Sequence, residues 1–173
     1  MSTVLQVNFE PVSDILATQR RDYALADKTL ANPLNAVALV DGEWMILDST
    51  SKLIRATTIG SVGNAATMTS YPLFAERGRY DVLAMSSVKM PIIFLGPWEA
   101  DTRIFDATAT VGSGAAITTV GQPVKVATVT IGSRNYSGLV GAGSSETSLI
   151  VGRVTRLPAQ NGGKLRIVSA YAR

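Results

Sequence analysis

Short apolar runs alternate along this chain with clusters of glycine, serine, threonine and proline, and that pattern predicts strands. The runs are rich in Val, Ile and Leu and have the length of strands rather than helices. Residues 36–40, the pair Asp41-Gly42 and residues 43–47 read as strand, turn and strand, because Asp-Gly supplies the positive-φ positions of a type I′ hairpin. Residues 52–59 follow as a third strand, and the small polar residues 60–70 as a loop. Tyr71-Pro72-Leu73-Phe74 is extended, since the residue before proline is driven out of the α region. Residues 80–84 and 89–95 are strand-like, and Gly96-Pro97 breaks the chain after them.

The remainder repeats the theme. Residues 108–115 read as a loop, and Gly121-Gln122-Pro123 leads into a strand over 124–131. Residues 132–137 read as a turn, 139–140 as a short strand and 141–145 as a mobile glycine-rich tip. Residues 148–157 and 164–171 form two strands joined by a hairpin turn over 158–163. Strands at about ten-residue spacing, without a long helical period, predict an all-β small barrel or sandwich over residues 33–173. Residues 1–32 differ: they hold no glycine, no clean period and clustered charges. They read as an extended N-terminal arm with room for a short helix around Ile15, Leu16, Tyr23 and Leu25, ending at Asn32-Pro33.

Composition narrows the function classes. A chain of 173 residues can bury a real core without staples. With 46% hydrophobic and 17% charged residues, disorder is excluded as its general state. There is no cysteine, so disulfides and thiolate metal sites are excluded. No run approaches the roughly 18 apolar residues of a membrane helix, and the first residues lack a secretory pattern. The expectation is a soluble protein made in the cytoplasm, with no membrane partner.

Catalytic chemistry is scarce. With no histidine, Ser-His-Asp and Cys-His arrangements and zincin motifs are impossible. Ser49-Thr50-Ser51-Lys52 and Ser86-Ser87-Val88-Lys89 match a Ser-x-x-Lys pattern that chance supplies freely in a Ser/Thr-rich chain. Glu99, Asp101 and Asp106 are the densest carboxylates, yet Arg103 lies among them and no Asp-x-Asp-x-Asp-Gly calcium loop is present. Gly141-Ala142-Gly143-Ser144-Ser145 lacks the lysine of a phosphate loop. The reading is a non-enzyme with no metal and no cofactor.

Charge is the informative feature. Residues 1–106 hold nine basic and twelve acidic residues, whereas residues 107–173 hold seven basic and one acidic. Arg153, Arg156, Lys164 and Arg166 fall on two strands joined by one hairpin and so can share a face. Nucleic acid is one partner for such a face, but Tyr136 and Tyr171 are too few for a stacking platform, which argues against direct contact. Arginine forks also pair with carboxylates across protein interfaces, and the acidic first part of the chain offers them. The candidate interface residues are Arg20, Arg21, Trp98, Arg134, Arg153, Arg156 and Arg166, with Arg153, Arg156 and Arg166 meeting carboxylates of a neighbouring subunit. Trp98, after a Gly-Pro turn, is either an interface anchor or a core residue.

The order of certain pieces resembles the capsid decoration (cement, head-stabilising) proteins of tailed bacteriophages. They are Tyr71-Pro72-Leu73-Phe74 with Gly78-Arg79-Tyr80-Asp81-Val82, then Gly96-Pro97-Trp98-Glu99-Ala100-Asp101-Thr102 and Gly121-Gln122-Pro123-Val124-Lys125. Val151-Gly152-Arg153-Val154 and Gly162-Gly163-Lys164-Leu165-Arg166-Ile167 complete the series, so the likeness spans roughly residues 33–173. It implies a virion structural protein on the outside of the capsid, made in the bacterial host cytoplasm and bound to the major capsid protein. It further implies a homotrimer that bridges neighbouring capsomers, with the N-terminal arm running along the shell. A minor neck or tail structural protein, and a carbohydrate-binding or adhesin-like β-module, are the alternatives.

Overall fold

The computed structural model describes residues 9–13, 20–31, 38–40, 42–56, 73–75, 89–93, 98–108, 114–143, 150–159 and 163–169. Twelve strands run through them: β1 Phe9–Pro11, β2 Arg20–Ala24, β3 Trp44–Leu47, β4 Leu53–Arg55, β5 Leu73–Ala75, β6 Lys89–Ile93, β7 Glu99–Thr102, β8 Phe105–Asp106, β9 Pro123–Ile131, β10 Arg134–Gly141, β11 Ile150–Arg156 and β12 Leu165–Ser169. Lys28–Ala31 is a short 3-10 helix. The all-β expectation holds. The strands form two open sheets, ordered β1-β7-β12-β11-β9-β10-β8 and β2-β6-β5-β3-β4, so the barrel alternative is replaced by two open sheets. In the smaller sheet, a single bridge between Leu25 and Leu53 ties the chain after β2 to β4 without extending into a ladder.

The segment read as an arm supplies one edge strand to each sheet, β1 beside β7 and β2 beside β6. Arg20–Ala24, inside the stretch expected to accommodate a short helix, is extended. Pro11 on the edge strand β1 costs no ladder bond on its outer side, which is where sheets tolerate proline.

Among the described residues a large core cluster lies where the two sheets meet, and Ala127, Val129 and Val140 of β9 and β10 form a separate one. Ala100, Val124, Val126, Leu139, Val151, Val154, Leu165 and Ile167 project from the larger sheet onto Trp44 and Ala56 of the smaller. Alternation explains the selection: Leu165, Ile167 and Ser169 of β12 are buried, while Arg166 and Val168 face outward. Trp44 and Trp98 meet at 6.1 Å between ring centroids with a 31° tilt, an offset aromatic pair at the junction.

Several turns differ from the sequence reading. Glu43 N donates to Val40 O at 3.3 Å and Gly42 has φ 90°, as a tight turn requires, but residues 38–40 form no strand. The stretch 132–137 is not one long turn. Only Gly132 and Ser133 turn, and Arg134 already pairs with Ile131, giving an eight-residue β10. Gly141 and Ala142 are buried rather than part of a mobile tip. A Cβ on Gly141 would come within 2.3 Å of Ala115 O, so only glycine admits this approach of two backbones. The readings over residues 60–70, 80–84 and 144–149 lie outside the described residues.

A candidate protein-interaction face

The outer face of the larger sheet carries the charges of its strands in register. Glu10 of β1 stands opposite Asp101 of β7, Asp101 opposite Arg166 of β12, and Arg166 opposite Arg156 of β11. This is one row of four charged side chains across four strands. The next row runs from Glu99 through Val168 to Arg153. Carboxylates therefore occupy β1 and β7, and cations occupy β12 and β11.

The pairs within this face are direct. Arg166 Nε donates to Asp101 Oδ1 at 2.7 Å and Arg166 Nη2 to Oδ2 at 3.0 Å, a fork on one carboxylate. Arg156 Nη2 donates to the same Oδ2 at 2.8 Å. Lys164 pairs with Glu10, and the Thr155 hydroxyl donates to Glu99 Oε1 at 2.7 Å. Arg153 Nη1 donates to Gly121 O at 3.0 Å. The contacts of Arg156 and Arg166 expected on a neighbouring subunit are thus made within the chain, by Asp101. The acidic first part and the basic last third close on each other through antiparallel pairing of β7 with β12.

Asp101 is buried, and the Arg166 hydrogen bonds hold its carboxyl below the ordinary aspartate range. The charges of Arg166, Arg156 and Lys164 add to that, while desolvation opposes it. The sign follows from linkage. A depressed folded-state pKa contributes stability above the unfolded value near 3.8, and that contribution is lost as pH falls through the folded value. We predict that stability drops on acidification below about pH 4 and that Asp101→Asn flattens the drop, read from urea midpoints across pH. An unchanged acid slope in the variant would contradict the pairing. Asp27 and Asp48 are also lowered, chiefly by Thr29 and by the Lys52 backbone respectively, so part of the slope persists.

The other expected residues sit differently. Trp98 is 3% exposed and packs in the core, which removes it as an interface anchor. Its backbone exchanges two hydrogen bonds with Ser169, Trp98 N to Ser169 Oγ at 3.1 Å and Ser169 N to Trp98 O at 2.8 Å. Arg134 reaches back across the chain to Ala38 O and lies 5.0 Å over the Tyr136 ring. Arg20 and Arg21 lie on β2, and their side chains fall outside what is described. Of the carboxylate cluster, Asp106 accepts both Thr108 N at 2.7 Å and the Thr108 hydroxyl at 2.6 Å, a local turn. Ser49-Thr50-Ser51-Lys52 is the β3–β4 turn, closed by Asp48 Oδ1 accepting Thr50 N and Lys52 N at 2.8 and 2.9 Å.

Two residues that sequence reasoning passed over organise the structure. Glu43 is fully buried and joins the sheets. Its carboxylate accepts Val40 N at 3.0 Å, Arg55 Nη2 at 3.0 Å and Ser137 N at 3.1 Å, with Arg55 Nε 2.6 Å away. Gln122 pins the loop before β9, donating to Ala116 O at 2.6 Å and accepting Thr118 N at 2.9 Å. The Asp-x-Thr triplets at Asp27, Asp48 and Asp106 were a visible signal, since each makes the same aspartate–threonine turn.

No family model, no curated protein and no solved structure matches this chain.

Proposed function

We propose that this chain is a virion structural protein that binds the outside of a phage capsid shell and stabilises it by bridging neighbouring capsomers. Its partners on this reading are the major capsid protein and two further copies of itself. The observation that carries the reading is the pair of open sheets that each have one of the first strands of the chain at an edge, β1 on one and β2 on the other. Strands at open edges are the positions from which a chain joins a neighbouring sheet. The charge-bearing outer face of β11 and β12 gives the same domain a directional surface, and the resemblance in residue order supplies the phage context.

The test is thermal. Shells isolated with the protein bound, and shells stripped of it by salt, are heated in parallel, and opening is followed by light scattering and gel analysis. The bound shells should open at a temperature higher by several degrees. Equal opening temperatures, or failure of the purified chain to rebind stripped shells, would end the reading.

A further inference from the structure

β11 carries a register shift between Val154 and Arg156. Val154 pairs with Ile167, and in a regular ladder Arg156 would then oppose Leu165 on the core side. The extra residue turns Arg156 to the outer face, opposite Arg166. Directly opposed like charges are unfavourable. Asp101 relieves them, but one carboxylate serves two guanidinium groups. Arg166 holds it with two donors, and Arg156 holds it with one while its side chain remains 52% exposed.

Arg153 lies three residues back on the same strand and is exposed. Among the described residues its partner is the Gly121 carbonyl, which leaves the positive charge unmatched by a carboxylate. Glu99, in its row, reaches across β12 to accept the Thr155 hydroxyl on β11 at 2.7 Å, and among the described residues it makes no ion pair with Arg153. A bulge that brings like charges together is a feature that packing alone does not ask for.

We propose that Arg153 and Arg156 form a two-cation clamp for an acidic, extended segment of a partner protein lying along β11. The two arginines are spaced along the strand by roughly 10 Å, so carboxylates two to four residues apart on an extended segment reach both. Charge complementarity selects the occupant. The guanidinium fork matches carboxylates, and Glu10 on β1 disfavours an anion placed further across the face. A polyphosphate backbone would meet that same carboxylate with far more negative charge and with no aromatic platform. This inference names the partner chemistry of the face used in the proposed function, yet its test needs no particle.

The probe is a fluorescein-labelled peptide alternating Glu and Thr, read by anisotropy at low and physiological salt. A Gln–Thr peptide and a thymidine oligomer serve as comparisons. The Glu–Thr peptide should bind, weaken with salt and lose roughly tenfold in affinity with Arg153→Ala, and Arg153→Glu should abolish it. Because Arg153 is exposed, both variants should keep the parent urea midpoint. Absence of binding at low salt, equal binding of the Gln–Thr peptide or tighter binding of the oligomer overturns the proposal. Self-association that Arg153→Ala removes would assign the clamp to a second copy and overturn it as well. Peptide binding with unaltered shell stability would sink the capsid reading alone, and the reverse result would sink the clamp alone.

Discussion

Replacing Glu43 with alanine is expected to destabilise the chain by about 3 kcal/mol, the cost of removing a buried carboxylate shared by two backbone donors and Arg55. The side chain is fully buried, so nothing in solvent replaces it. Its loss leaves Arg55 without its carboxylate and leaves Val40 N and Ser137 N without an acceptor at the point where the two sheets meet. Each orphaned donor adds a desolvation cost of its own. Glu43→Gln keeps the shape and one acceptor oxygen but removes the charge that Arg55 faces, so an intermediate loss is expected. The double variant Glu43→Leu with Arg55→Leu should recover part of the alanine loss, because apolar packing then replaces the ion pair. The recovery stops short of full, since Ser137 N still lacks a partner. Urea unfolding at constant slope measures all three. A loss below about 1 kcal/mol in Glu43→Ala would show that the junction does not depend on this carboxylate.

Trp98→Ala carries the second large effect, a loss of about 3–5 kcal/mol from lost apolar burial and the cavity left behind. Trp98 contacts the cluster formed by Trp44, Ala100, Leu165 and Ile167, and its ring lies against Trp44. Trp98→Phe fills part of the volume and keeps an aromatic contact, so a smaller loss is expected. The tryptophan fluorescence of the folded chain should also shift, since Trp44 would then face a cavity. An interface role would produce the opposite signature, with stability of the isolated chain unchanged and only assembly weakened. That outcome would contradict the core assignment.

The strands β9, β11 and β12 were legible because alternating apolar residues and glycine turns encode a half-buried strand locally. The length of β10 was not. Its run Asn135-Tyr136-Ser137-Gly138 is polar and small, and it is a strand because β9 pairs with every residue of it. Tertiary pairing overrides propensity there. Gly141 looked like a mobile tip for a similar reason, since glycine marks a close backbone approach as readily as a loop.

The charge split was legible as an asymmetry, but its resolution was not. Asp101 and Arg166 are 65 residues apart, and only the β7–β12 register places them together. The role of Arg156 depends on a bulge, which shifts a side chain from one face to the other and has no signature in an apolar pattern. Glu43 was invisible as a hub because its partners come from the preceding turn, from β4 and from β10. Of the acidic residues of the first part, Asp101, Glu10 and Glu43 pair with cations of the same chain, and among the described residues of the larger sheet's outer face Arg153 is the arginine without a carboxylate.

Arginine-selective labelling of assembled particles tests that account most directly. A dicarbonyl reagent is applied to the isolated chain and to the chain on its shell, and modification is located by mass spectrometry. Arg153 should react in the isolated chain and be protected on the particle, with Arg156 protected to a similar degree and Arg166 slow in both because Asp101 holds it by two donors. Equal reaction of Arg153 in the two states would place the β11 face in solvent and contradict the account.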